Sequence, residues 1–373
     1  MKEMTSRERV LCALGHQQPD RQPIDFGGTV VTCMDATAHE RLQRHLGFPV
    51  DAGPIIDYSM GTVVPEEKIL RLVGSDVRRV GMNVIPPAIE NDRYTDGFGM
   101  ILKRSRPHLY YDVIHHPLAE AEIEDLAEMA IPQADNPALY AGMKERVKEL
   151  YENTPYALFA DYGVPGFFET SQKLRGYEQF FCDLLLEQDF LHGLWDRLLE
   201  LQKRFFKNYL SEIAPYVVAV GYADDLGMQD RPQISAQLYR ETIKPYHKEI
   251  FSYIHSLGVK VMLHSCGDIY PFMDDLIDAG VDIFNPIQTA AAEMDVRALK
   301  ANFGDRACFW GGIDEQNILR AGSEEDVRRE VRHVSATLGQ GGGYILAPAH
   351  NIQVDVPPEN ILAMFDEAKK IVY

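Results

Sequence analysis

The 373-residue chain has little cysteine, and what it has is scattered. Cys12, Cys33, Cys182, Cys266 and Cys308 form no C-x-x-C pair and no even framework. This excludes a disulfide-stapled secreted scaffold and predicts single thiols in a reducing cytosol, as core residues, ligands or nucleophiles. Long hydrophobic runs are absent too: stretches such as "YVVAVGYA" fall far short of a bilayer span. The opening "MKEMTSRERVLCALGHQQPDRQP" shows neither an apolar signal region nor a small-residue cleavage site, so a cytoplasmic protein with no membrane partner is expected. Basic charge is in deficit, 37 Lys and Arg against 56 Asp and Glu for a net charge of −19, which argues against nucleic acid or anionic membrane as partner. No G-x-G-x-x-G follows a strand, which removes the usual dinucleotide site, and neither a G-x-S-x-G elbow nor a phosphate loop occurs.

What remains is an ordinary globular composition, 46% hydrophobic and 25% charged, long enough for a large core. "TSRERVLCALGH" opens on a Thr5 or Ser6 cap and continues at helical spacing. "RQPIDFGG" reads as a short strand, "EEKILRLVGSDVRRVGMNV" as helix, Gly74 and strand, and residues 90–117 as a hairpin-like excursion. "LAEAEIEDLAEM" and "NPALYAGMKERVKELYEN" read as helices. The second half alternates more plainly. Short apolar strands, "YALFADYG", "YVVAVGYADD", "VKVMLHSCG", "VDIFNPIQ", "RACFWGGID" and "GYILAPAHN", are separated by helical segments such as "SAQLYRETIKPYHKEIFSYIHSLG". Continuous apolar strands alternating with helices predict a parallel sheet covered by helices.

Polar residues gather at the C-terminal end of nearly every strand, where a (β/α)8 barrel collects its active-site groups on one rim. An open sheet would spread them along a line, so the pattern favours a TIM barrel in a single domain over residues 1–373, with an N-terminal helix within residues 1–20 and the excursion as additions. His264 and Cys266, two residues apart at the end of a strand, share one side of it and can converge on one point. Imidazole and thiolate together suit zinc, and His350 ends another strand at the same rim. Asp224 and Asp225 are adjacent, so one points in and one out; each is a candidate acid, base or substrate contact, or else a turn cap. Tyr222, Asp161, Tyr162, Asn285, Gln288, Trp310, Asp314 and Asn351 complete the candidate substrate contacts. His115 and His116 read as a solvated turn, His247 and His255 as structural, and the other cysteines as small hydrophobes.

From "SRERVLCALGHQQPDRQP" to "PPENILAMFDEAKKI" the chain resembles the uroporphyrinogen decarboxylase superfamily, most specifically in "KPYHKEIFSYIHSLGVKVMLHSCGDI", "FWGGIDEQ" and "GGGYILAPAHNIQVDVPPENI". The resemblance implies a (β/α)8 barrel and one of two activities. Haem-pathway decarboxylases carry an arginine-rich MRQAGR segment; here the corresponding stretch is "RQPIDFGGTVVT", without those arginines. Corrinoid-dependent methyltransferases carry H-x-C and a distant third ligand, usually Cys; His264 and Cys266 match, and His350 stands at the third place. The resemblance thus implies Zn2+ on His264, Cys266 and His350, with Asp224 or Asp225, Tyr222 and Asn285 orienting a small methylated substrate or methyl acceptor. This chain lacks the D-x-H-x-x-G segment that binds corrinoid, so the cobalamin-type cofactor is expected on a separate carrier protein. A metal-free decarboxylase is the alternative and a non-catalytic ligand-binding barrel a distant third. Oligomeric state stays open, a homodimer included.

Overall fold

The computed structural model describes residues 3–105, 110–164 and 166–373. Seven parallel strands follow one another in chain order around a curled sheet: β1 (Val77–Val80), β2 (Ala157–Ala160), β3 (Val220–Ala223), β4 (Val261–His264), β5 (Ile283–Asn285), β6 (Cys308–Ile313) and β7 (Tyr344–Pro348). The eighth place is filled by the "QPIDF" segment. Asp25 N–H bonds Leu346 O at 2.8 Å, Leu346 N–H bonds Pro23 O at 3.0 Å, and Asp76 N–H bonds Ile24 O at 2.7 Å, so the segment joins β7 to the entrance of β1. Pro23 costs no ladder bond there, because it joins the pairing through its carbonyl alone and Ile24 is the bridge residue. The fold is a TIM barrel with one irregular place.

Alternation sorts the strand residues into two layers. Val77, Phe159, Met262, Ile283, Trp310 and Ile345 share one buried cluster inside the barrel, and Val10, Ala13 and Leu14 of the helix Ser6–Leu14 close it from below. That helix starts where expected: Thr5 Oγ1 accepts from Glu8 N–H at 3.2 Å and Glu8 Oε2 from Thr5 N–H at 2.8 Å, a reciprocal cap. Val220, Tyr222, Leu263, Phe284, Phe309 and Leu346 face the helices instead, in the second, larger cluster.

Three expectations change in detail. The excursion has three antiparallel strands, Arg93–Thr95, Ile101–Arg104 and Tyr111–His115, rather than a simple hairpin; its residues 106–109 lie outside the described ones. "LAEAEIEDLAEM" gives only a short 3-10 turn, Ile123–Glu128, because within that turn only Leu126 is buried, too little apolar surface to hold a full helix against the core. "SAQLYRETIKPYHKEIFSYIHS" divides into Ala236–Thr242 and Lys244–Ser256, since Pro245 is tolerated only in a first helical turn. No helix among the described residues is long and apolar enough to cross a membrane.

Candidate metal centre

Strand parity places the ends of β3, β4 and β7. Because Met262 faces the barrel interior, His264 does as well, and the chain then turns over Ser265 to present Cys266. The turn is held at close quarters. Gly267 has φ +83°, and a Cβ there would stand 2.6 Å from backbone atoms of Gly227 and Met228, so no larger residue fits. Cys266 N–H donates to Asp225 Oδ1 at 2.8 Å and Gly267 N–H to Gln288 Oε1 at 2.7 Å. From β7, His350 comes to the same place, its ring centroid 5.3 Å from that of His264.

One ligand atom from each of His264, Cys266 and His350 lies within 4.8 Å of the others. His264 Nε2 and Cys266 Sγ are 3.4 Å apart. Two ligands of a tetrahedral zinc stand about 3.5 Å apart, given bonds of about 2.0–2.3 Å, so this edge of the donor set fits such an ion. The tautomers fit also. Asn285 Nδ2–H donates to Trp310 O at 3.1 Å, which turns its Oδ1 toward His264 Nδ1 at 2.6 Å; the proton must sit on Nδ1, leaving Nε2 as a lone-pair donor. Asn351 does the same for His350. Its Oδ1 accepts from His350 Nδ1, from Tyr110 O–H at 2.8 Å and from Gln353 Nε2–H at 3.0 Å, while its Nδ2–H donates to Thr62 Oγ1 at 3.2 Å. Amide acceptors behind both imidazoles are the outer support that ligating histidines normally require.

Burial dominates the electrostatics. It pushes the His264 imidazole down and, with the His264 ring adding to it, His350 to about 3, so both rings are neutral. Burial also pushes the Cys266 thiol up, reinforced by the charges of Asp225, Glu315 and Glu169. Those carboxyls are displaced upward in turn by their own burial, Glu315 to about 7, and Glu315 Oε2 is buried without a hydrogen-bond partner among the described residues. A neutral donor set beside carboxylates that burial disfavours is an environment a dication would relieve.

A model of the uroporphyrinogen decarboxylase (URO-D) family matches residues 107–371. The chain belongs to this family. Among its curated relatives, the uroporphyrinogen decarboxylase of Psychromonas ingrahamii is 32% identical over 89 residues, 24% of this chain and 23% of that protein. That of Cellvibrio japonicus is 27% identical over 249 residues, 65% of each chain. The alignments thus span less than two thirds of these relatives' lengths. Over its whole length the fold is similar to a methyltransferase from Methanosarcina mazei, with a TM-score of 0.67, 18% identity and 99% of both chains covered.

The other expected contacts separate within this URO-D barrel. Asp225 faces inward beside Cys266, but Asp224 faces the helices, fully buried. Its oxygens accept from Phe168 N–H at 3.0 Å, Glu169 N–H at 2.8 Å and His247 Nε2 at 3.0 Å, so it caps the helix Phe167–Arg175 from a neighbouring strand. Tyr222 also points outward, with its hydroxyl on Gln202 Oε1 at 3.3 Å and its ring against Phe251; neither reaches the mouth. Trp310 lies below the rim, not at it, packed on Phe159 with Nε1–H donating to Asp25 Oδ2 at 2.8 Å. Asn285, Gln288 and Asn351 stand behind the cluster, and Asp314 caps the turn after β6 through Gln316 N–H at 2.8 Å. Asp161 pairs with Arg79 and accepts from Val30 N–H at 3.0 Å. Tyr162 alone of these offers a hydroxyl without a partner among the described residues, its ring 5.9 Å from that of His264. Sequence reasoning missed Glu169, Glu315, Tyr110 and Arg79. Glu315 adjoins Asp314 and was open to the same adjacency argument as Asp224 and Asp225. Glu169 and Tyr110 come from a helix and an excursion, where no strand-end signal marks them.

Proposed function

We propose that the chain is a zinc-dependent methyltransferase that moves a methyl group between a small substrate and a corrinoid held by a separate carrier protein. The convergence of His264, Cys266 and His350, with both imidazoles pre-set to offer Nε2, carries this reading. Zinc bound by these three would leave one position open and supply Lewis acidity there, to a thiol acceptor or to the heteroatom of a methyl donor. The rest falls to the chain's own groups. Asn285 and Asn351 fix the imidazoles, while Asp225 and Gln288 fix the backbone of the Cys266 turn. Tyr162, whose hydroxyl has no partner among the described residues, can bond whatever binds beside His264, and Asp225 and Glu315 can hold a proton released at Cys266.

The test is the metal content of the anaerobically purified protein beside Cys266→Ser and His350→Ala. Near-stoichiometric zinc in the parent, lost in both variants, is expected; a metal-free parent would sink the proposal. A second reading, porphyrinogen decarboxylation without metal, is favoured by the name that the curated relatives share. It predicts decarboxylated porphyrins in a direct assay and indifference of that activity to Cys266→Ser.

A further inference from the structure

A cavity of about 610 Å³ opens beside the end of β1, between that strand, the segment around Ile55 and Ile56, and the helix Met143–Asn153. Its size lies within the range of small-molecule sites, about 300–1,000 Å³. Most of its wall is apolar, with Ile55, Ile56, Val84 and Leu150 among the lining residues, and two guanidinium groups, Arg79 and Arg146, enter it. In a chain of net charge −19, two cations facing one apolar cavity need a reason.

Neither guanidinium is used up. Arg79 gives Nε to Asp161, and its two terminal nitrogens have no hydrogen-bond partner among the described residues. Gly81 leaves room for them: a Cβ there would stand 2.7 Å from Arg79 Nη2, and the backbone at that residue does not itself require glycine. Arg146 bonds only neutral groups, Ala141 O and Asn83 Oδ1, each at 2.8 Å, and has no carboxylate partner among the described residues. The Arg79–Asp161 pair is neutral as a whole, so Arg146 leaves the cavity one positive charge with several N–H groups unspent.

Two chain segments link the cavity to the candidate metal centre. Asp161, which anchors Arg79, is followed directly by Tyr162, whose ring meets His264. The segment that supplies Ile55 and Ile56 continues to Thr62, which supports Asn351 behind His350.

We infer that this cavity seats a small ligand made of an anionic group, a carboxylate, sulfonate or phosphate, on an apolar body, with the anion on the free ends of Arg79 and Arg146. That this ligand is the methyl-transfer substrate rests on the function proposed above; that the cavity takes an apolar anion does not. Calorimetric titration of the full-length protein with 2-naphthoate and with the uncharged 2-naphthamide tests it, with zinc content measured on the same samples. Naphthoate should bind at least about tenfold more tightly than the amide, since each charge-assisted bond adds discrimination of that order. Arg79→Gln and Arg146→Gln should each weaken naphthoate about tenfold, leave the amide unchanged and retain the metal. Arg146 is exposed and its side chain bonds only two neutral groups, so its variant keeps the test valid if Arg79→Gln, which strands Asp161, folds poorly. Equal binding of acid and amide, binding of neither, or indifference to Arg146→Gln would overturn the inference. Selective naphthoate binding by a metal-free protein would uphold the anion site while removing the zinc mechanism.

Discussion

Replacing Asn285 with leucine removes the acceptor that keeps the His264 proton on Nδ1 and leaves the volume roughly filled. In the parent, Asn285 Oδ1 meets His264 Nδ1 at 2.6 Å while its Nδ2–H meets Trp310 O at 3.1 Å. Two consequences follow from losing both bonds. The ring is freed to rotate and to place its proton on Nε2, the atom that faces Cys266 Sγ at 3.4 Å. Loss of such an outer-shell partner weakens a metal site about 10- to 100-fold, equivalent to about 1.4–2.7 kcal/mol. Two buried polar groups, His264 Nδ1–H and Trp310 O, are also left unpaired, at about 1–3 kcal/mol of folding stability each. Asn285→Asp separates the two effects. A carboxylate still accepts from Nδ1–H and makes the imidazole a better donor, but it sets an oxygen against Trp310 O. Zinc competition with a chromophoric chelator should therefore find Asn285→Leu weakened by at least about tenfold and Asn285→Asp at or above the parent. Urea unfolding should find both destabilised. Zinc affinity in Asn285→Leu equal to the parent would refute the tautomer argument, and with it the reading of Asn285 as support for a metal ligand.

Asp224→Ala should lower stability by about 3–5 kcal/mol, because it strands buried His247 and uncaps the helix Phe167–Arg175, while zinc stoichiometry stays unchanged. Urea midpoints and metal analysis on one preparation check both halves. Asp25 gives a pH prediction. Burial pushes its carboxyl up to about 6, against the 3.8 of an ordinary one. Below about pH 4 the carboxyl is protonated in both the folded and unfolded chain, and no penalty arises. As pH rises toward 6, the unfolded chain ionises first, so folding stability falls by about 3 kcal/mol and stays lower above that. The difference in urea midpoint between the parent and Asp25→Asn should change across that interval and level off beyond it; a difference flat from pH 4 to pH 7 would contradict the assignment.

The barrel was legible because its signals are local: apolar runs of strand length, helices punctuated by glycine, and polar residues at strand ends. The convergence of His264 with Cys266 was legible for the same reason, since a two-residue spacing fixes a shared face. Choosing between Asp224 and Asp225 needed one further step, the parity of β3. With Tyr222 large and apolar-facing, Asp224 must face the helices as well, and Gly221, Ala223 and Asp225 the interior. The sequence carried that answer, yet it depended on knowing which side Tyr222 takes, and an aromatic ring suits either. Trp310 misled by the opposite route. Its neighbours Gly311 and Gly312, at φ +111° and +95°, let the strand bend just above it, so the rim begins after the tryptophan rather than with it. The supports at Tyr110, Thr62 and Glu169 come from segments remote in sequence, and only the folded chain brings them to the mouth.

Charge at the mouth divides the two readings of function. Asp225, Glu169 and Glu315 all act on Cys266, with Lys173, paired to Glu169 at 2.5 Å, as the cation that opposes them. Burial raises all three carboxyls, so each is costly to ionise where it stands. A bound dication would repay that cost, because it attracts all three at once and turns the neighbouring thiol into a thiolate ligand. A substrate bearing several carboxylates does the reverse: it adds like charge to a cluster already short of cations, and binds only if the protein first takes up protons. The cations suited to an anionic group stand at Arg79 and Arg146, to one side of the cluster. That separation suits a ligand with one charged end held away from the reacting atom better than one charged around its whole rim.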